Sequence, residues 1–236
     1  MPRETLVLLP GMMCDARLFS PQMGALQDRF EIIVPRLKSA SIEAMAKGVL
    51  EEVEDARFSV AGLSMGGIVA MEMASMAPER IERLALLDTN HLADAPGRFE
   101  IRNRQISDVR AGHLRDVIVD EMKPVYLAHA NRGNQALLDL LVAMALDCGA
   151  DMFVAQSLAL CDRADQSASL AAFKGPTLVL CGAEDELCPP ERHREIAGLL
   201  ENSELAIVPG AGHISTLENP AAVTAGLEAW LTRPVG

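Results

Sequence analysis

Six short apolar runs constrain this 236-residue chain more than any other feature. They are Thr5–Leu9, Glu31–Pro35, Phe58–Leu63, Arg83–Asp88, Pro176–Cys181 and Glu204–Val208. Leu6–Leu9 and Thr177–Cys181 are near-continuously apolar, the pattern of strands buried on both faces. Helix-period stretches separate the runs, and no hairpin turn joins them. Ser41 is placed to cap a helix with Ile42, Met45, Val49 and Val53 on one face. Met65–Met76 reads as an apolar helix ended by Pro78, and Arg17–Asp28, Pro190–Leu200 and Pro220–Leu231 as further helices. The pattern predicts an α/β fold: a mostly parallel, doubly wound sheet of about six strands with helices on both faces.

The rhythm breaks between His91 and Ser169, where no strand pattern occurs and stretches such as Gln135–Leu146 and Met152–Cys161 read as helices. The expected organisation is a core of residues 1–90 and 170–236, with 91–169 inserted as a helical cap. The insertion leaves the C-terminal end of a strand, where ligands bind in open α/β sheets. Its charge also differs. The chain carries −12 overall, yet residues 90–135 hold Arg98, Arg102, Arg104, Arg110, Arg115, Lys123 and Arg132 against six acidic groups. Those basic residues read either as a solvated helix face or as a means of drawing an anionic acid or lactone to the site.

The acidic balance argues against nucleic acid as a partner, because a phosphate-backbone binder needs a basic face. No run of about 18 apolar residues offers a membrane span, and the first residues lack the pattern of a secretory leader. Five cysteines, an odd number with no CxxC spacing, argue against a disulfide framework or zinc site. Reduced thiols in a cytoplasm are the expectation.

Gly62-Leu63-Ser64-Met65-Gly66 matches G-x-S-x-G and lies between a predicted strand and a predicted helix, the setting of a nucleophile elbow. A serine hydroxyl is a weak nucleophile and needs a base. His213 lies in the Gly-rich loop Pro209–His213 after the last predicted strand, at the same sheet edge as Ser64. His91, which also follows a strand, is the rival. His193, among Glu191, Arg192, Arg194 and Glu195, reads as solvated, and His113 and His129 as surface or cap residues. The acid that orients the base is expected at Asp185, after its own strand, with Asp88 and the adjacent Glu184 as alternatives. Backbone N–H groups of Met12, in the loop after the first strand, and of Met65 would form the oxyanion hole. Gly11, Met13 and Leu92 are expected to line an adaptable, mostly apolar pocket.

The Pro10-Gly11 loop, the Gly-Leu-Ser64-Met-Gly-Gly elbow, Asp185 followed by Pro189, and Gly212-His213 occur in the order of one family. Across nearly its whole length the chain resembles the α/β-hydrolase superfamily, in particular its small capped serine esterases and lactonases. The resemblance implies hydrolysis of carboxylic esters with small, mainly apolar acyl groups, through a Ser-His-Asp triad and an acyl-enzyme. A lactone or thioester substrate is the alternative, with an acyltransferase, a perhydrolase or a non-catalytic receptor further off. It implies no metal or organic cofactor, a small-molecule ester or lactone as the partner, and a monomer or homodimer. Many relatives carry His-Gly where this chain has Pro10-Gly11. The expected sheet lacks the two N-terminal strands of the larger family sheet.

Overall fold

The computed structural model describes residues 3–122 and 125–235; Lys123, one of the basic groups counted above, lies outside them. Six strands, β1 (Glu4–Leu9), β2 (Phe30–Ile33), β3 (Phe58–Leu63), β4 (Ile81–Leu87), β5 (Thr177–Gly182) and β6 (Ser203–Val208), form one sheet in the order β2-β1-β3-β4-β5-β6. Every pairing is parallel. Strands of this kind need crossovers, and helices supply them. The first is a 3-10 turn, Ala16–Phe19, that runs into α1 (Ser20–Leu26). The single helix expected over Arg17–Asp28 is thus split, with Pro21 in the first turn of α1. Next come α2 (Ile42–Glu52) and α3 (Met65–Met76). Ser41 caps α2 by accepting the Ala44 N–H.

Between β4 and β5 the chain is helical among the described residues: α4 (Arg98–Arg110), α5 (Leu114–Asp116) continuing as π-helical turns to Met122, α6 (Gln135–Cys148), α7 (Ala150–Cys161) and α8 (Ser167–Ala172). After β5 come α9 (Pro190–Leu199), α10 (Ser215–Glu218) and α11 (Pro220–Leu231).

Alternation along each strand sorts the core into two layers. Val7, Leu9, Val60, Leu84, Leu86 and Val179 pack with Met45, Val49, Ile68 and Ile196 of α2, α3 and α9. Leu6, Leu8, Ala61, Leu63, Leu87 and Leu180 pack with Phe19, Leu26, Leu227 and Trp230 on the other face. No helix among the described residues is long and apolar enough to cross a membrane, and no disulfide joins the cysteines.

The strand order reverses between β1 and β3, so the loops that leave these two strands diverge from one crevice. Leu9 pairs with Gly62 across that gap, which brings the Pro10-Gly11 loop against the turn after β3. The fit is tight enough to require glycine. A Cβ on Gly66 would stand 2.0 Å from the Leu9 carbonyl oxygen, and one on Gly62 would stand 2.2 Å from that of Gly66. Both obstacles are backbone and cannot rotate away. Gly66→Ala is expected to destabilise the fold by about 3 kcal/mol or more, the upper range of overpacking; urea unfolding of the two proteins measures it.

Candidate active site

Ser64 sits between the last residue of β3 and the first of α3, with φ 55° and ψ −117°. A side-chain-bearing residue avoids that region, and the strain persists because the packing of Gly62 and Gly66 leaves no other path. The turn lifts the hydroxyl off the sheet edge. There Ser64 Oγ lies 2.9 Å from His213 Nε2, and His213 Nδ1 lies 2.9 Å from Asp185 Oδ2. Asp185 is fixed in turn: its Oδ1 accepts the N–H groups of Leu187 and Cys188, each at 2.9 Å. Burial opposes the Asp185 charge, but the His213 charge and these hydrogen bonds prevail and hold the carboxyl below its ordinary range. An acceptor-only Asp185 requires the proton on Nδ1, which leaves Nε2 free to accept from the serine.

The structure thus brings together the three residues favoured from sequence. It places the oxyanion candidates beside them. Among the described residues neither the Met12 nor the Met65 N–H meets an acceptor, whereas the Met13 N–H donates to Gln156 Oε1 at 2.9 Å. Gly11 packs against the serine, since a Cβ there would lie 3.4 Å from Ser64 Cβ. Met13 itself is fully buried in the core layer that contains α2 and α3. Leu92 is half-buried, and its carbonyl accepts from Arg163 Nε at 2.9 Å.

The rivals lie elsewhere. His91 is buried, its carbonyl accepts the Gln166 N–H, and its Nδ1 has no partner among the described residues. His113 pairs with Asp116. His129 pairs with Glu184, which accepts both its N–H and its Nδ1. Asp88 is held by Gly182 and Ser215. Its Oδ1 accepts the Gly182 N–H at 2.8 Å and its Oδ2 meets the Ser215 hydroxyl at 2.5 Å. Complete burial, then the nearby Asp185 charge, push its carboxyl well above the ordinary value. Cys188 Sγ comes within 4.8 Å of the Asp185 and His213 ligand atoms, but those two residues already engage each other.

His193 corrects the sequence reading. It is fully buried, not solvated. Its Nε2 accepts the Thr89 N–H at 2.9 Å, and its Nδ1 faces the Pro189 carbonyl at 3.3 Å. Thr89 Oγ1 donates to the Ser64 carbonyl at 2.7 Å, so His193 braces the elbow from behind. Burial lowers its pKa to about 4. The unfolded imidazole, near 6.5, takes a proton first as pH falls. The His193 contribution to stability is therefore complete above about pH 6.5 and erodes as pH drops from there toward about 4, by about 3 kcal/mol in all. Thermal unfolding across that window is expected to be steeper in pH for the wild type than for His193→Gln.

Two contributors had no sequence signal. The Tyr126 ring lies 5.4 Å from that of His213, and its carbonyl accepts the His213 N–H at 2.8 Å. Glu218 accepts from Gly212 N–H and Ala128 N–H, each at 2.7 Å, and from Asn131 Nδ2 at 2.9 Å. It thereby ties the histidine loop to the helical insertion.

A parallel sheet with a strained serine turn at its C-terminal edge and a helical insertion after β4 defines a hydrolase scaffold. The family model for the α/β hydrolase fold matches residues 10–220. The malate-bound esterase of Thermogutta terrifontis superposes with a TM-score of 0.91 at 30% identity, over 98% of this chain and 90% of that one. The enol-lactonase of Burkholderia xenovorans LB400 superposes with a TM-score of 0.88 at 23% identity, over 99% and 93%, a likeness of fold alone. A dihydrolipoyllysine-residue acetyltransferase component of the acetoin cleaving system of Pseudomonas putida is 28% identical over 188 residues, 78% of this chain. The chain spans about half of that protein's length (48%). The chain belongs to the α/β-hydrolase fold family.

Proposed function

We propose that the protein is a serine hydrolase of carboxylic esters with small acyl groups. The observation that carries this reading is the unbroken Ser64–His213–Asp185 chain of 2.9 Å contacts on a strained turn. His213 Nε2 takes the hydroxyl proton as Ser64 Oγ attacks the carbonyl carbon. The positive charge that develops on the imidazole is stabilised by Asp185. The N–H groups of Met12 and Met65 receive the tetrahedral oxyanion, and the N-terminus of α3 adds its dipole. His213 returns the proton to the leaving alcohol, and the acyl group stays on Ser64. Water, deprotonated by the same Nε2, then releases the acid.

The same sequence of steps opens a lactone, with the leaving alcohol still tethered to the acyl chain. Residues 91–169 act as a cap over the sheet edge in this reading, held to the core through Tyr126 and Glu218. A small-molecule substrate is the only partner the mechanism needs, and the working unit is a monomer or homodimer. Hydrolysis of p-nitrophenyl acetate, with Ser64→Ala as the blank, tests the assignment. Wild-type turnover no faster than the blank would sink it.

A further inference from the structure

The loop after β1 closes in a strained turn. The Cys14 N–H donates to the Gly11 carbonyl at 3.1 Å, which makes Met12 and Met13 the corners of a β-turn. φ is 56° at Met13 and is not positive at Met12, the type II pattern, whose second corner normally takes glycine. A type I turn keeps the same closing hydrogen bond with φ negative at both corners. The two forms differ by a rotation of the Met12–Met13 peptide. The closing bond therefore does not select the observed form, and the Cβ of Met13 opposes it.

Gln156, on α7 of the helical insertion, supplies the selection. Its Oε1 accepts the Met13 N–H at 2.9 Å, and its Nε2 donates to the Leu37 carbonyl at 2.7 Å. Rotation of the Met12–Met13 peptide would bring the Met12 carbonyl round to Oε1, acceptor against acceptor. The amide cannot answer by turning over, because Oε1 would then face the Leu37 carbonyl. Gln156, Met13 and Leu37 are all buried, so bulk water does not stand in for either bond, and an unmet group there would be costly. The side chain thus holds the turn in its strained form from two sides.

We infer that Gln156 is a positioning residue for ester hydrolysis: it locks the turn that aims the Met12 N–H at the oxyanion, so the insertion preorganises the oxyanion hole. This rests on the ester-hydrolase reading and adds a residue to its machinery. Gln156 acts through the backbone of Met12 and Met13 and not on the reacting atoms. Acylation and deacylation both pass through an oxyanion. A displaced Met12 N–H therefore lowers kcat and kcat/KM together and leaves KM nearly unchanged.

Gln156→Leu is expected to lower kcat on p-nitrophenyl acetate by about tenfold to a hundredfold, the effect of a misplaced rather than a missing donor. It is expected to weaken inhibition by ethyl trifluoromethyl ketone, whose adduct with Ser64 carries the oxyanion, by a similar factor. Gln156→Glu is expected to recover most of both losses. Burial favours the neutral carboxyl, which offers an acceptor to Met13 and a donor to Leu37 as the amide does. A raised KM with unchanged kcat in Gln156→Leu overturns the inference, as does unchanged inhibition by the ketone or a glutamate variant no better than the leucine one. Amide exchange of the wild-type protein reads the bond with no substitution and so does not depend on how the variants fold. The Met13 N–H is expected to exchange about tenfold or more slowly than the Met12 N–H, and equal rates overturn the inference. An active wild type with an unaffected Gln156→Leu sinks this role alone. A wild type that hydrolyses no ester, with the Met13 N–H still protected, sinks the hydrolase reading and this role with it.

Discussion

Replacement of Ser64 by alanine is expected to lower ester turnover by about 10⁴-fold to 10⁶-fold, with folding left intact. The variant loses one oxygen. It keeps the backbone turn, because alanine carries the same Cβ and the glycines around it are unchanged. The Thr89 hydroxyl still bonds the carbonyl of residue 64, and His213 keeps its partner Asp185. What disappears is the hydroxyl that faces the base at 2.9 Å, so the acyl-enzyme cannot form. His213→Ala is expected to cost a similar factor, since nucleophile and base act as a unit, and the double variant is expected to be little worse than either single one. Initial rates on one p-nitrophenyl ester, with circular dichroism as the check on folding, decide the matter. Retention of more than about a tenth of the activity in Ser64→Ala would assign the chemistry to another group.

How far the sequence carries the reading depends on what holds each element. Phe58–Leu63, Met65–Met76 and Pro220–Leu231 have the same limits in the sequence reading and in the structure. Their apolar content is high, and their ends are marked locally by the Ser64 turn, by Pro78 and by Pro220. Ser64, His213 and Asp185 were legible for a related reason: each follows a strand of one parallel sheet, so all three reach one edge.

The insertion was less legible. Arg98–Arg110 carries little apolar stripe, and the buried Arg102 is held by Asp94 from outside the helix, a tertiary contact that no local pattern encodes. His193 was misread because its sequence neighbours are charged. The better guide was spacing: His193, Ile196 and Leu200, three and four apart, are all buried, and a histidine on such a stripe goes inward with it. Glu218 had no pattern at all, because its three donors come from two segments about 80 or more residues apart and its role follows only from the fold.

The sharpest separation is expected between two aspartates that both follow strands at the sheet edge. Asp185→Asn is expected to lower kcat by about 10⁴-fold. The amide keeps an oxygen for the Leu187 and Cys188 N–H groups, so the loop stays in place. The group facing His213 Nδ1 then becomes an N–H donor, which forces the imidazole proton onto Nε2, the wrong nitrogen for accepting from Ser64, and removes the charge that stabilises the imidazolium. Asp88→Asn meets different demands. Burial and the Asp185 charge already favour the neutral form of Asp88, so an uncharged amide changes the electrostatics little. Its oxygen still accepts the Gly182 N–H, and its NH2 group faces the Ser215 hydroxyl, which has lone pairs to accept it. Position 88 has φ 44°, and asparagine is among the few side-chain-bearing residues that tolerate that region. The loss at Asp88 is therefore expected to stay at about tenfold or less. Measured with one ester, a large loss at Asp88 and a small one at Asp185 would transfer the acid to β4 and require His213 to turn toward it during the reaction.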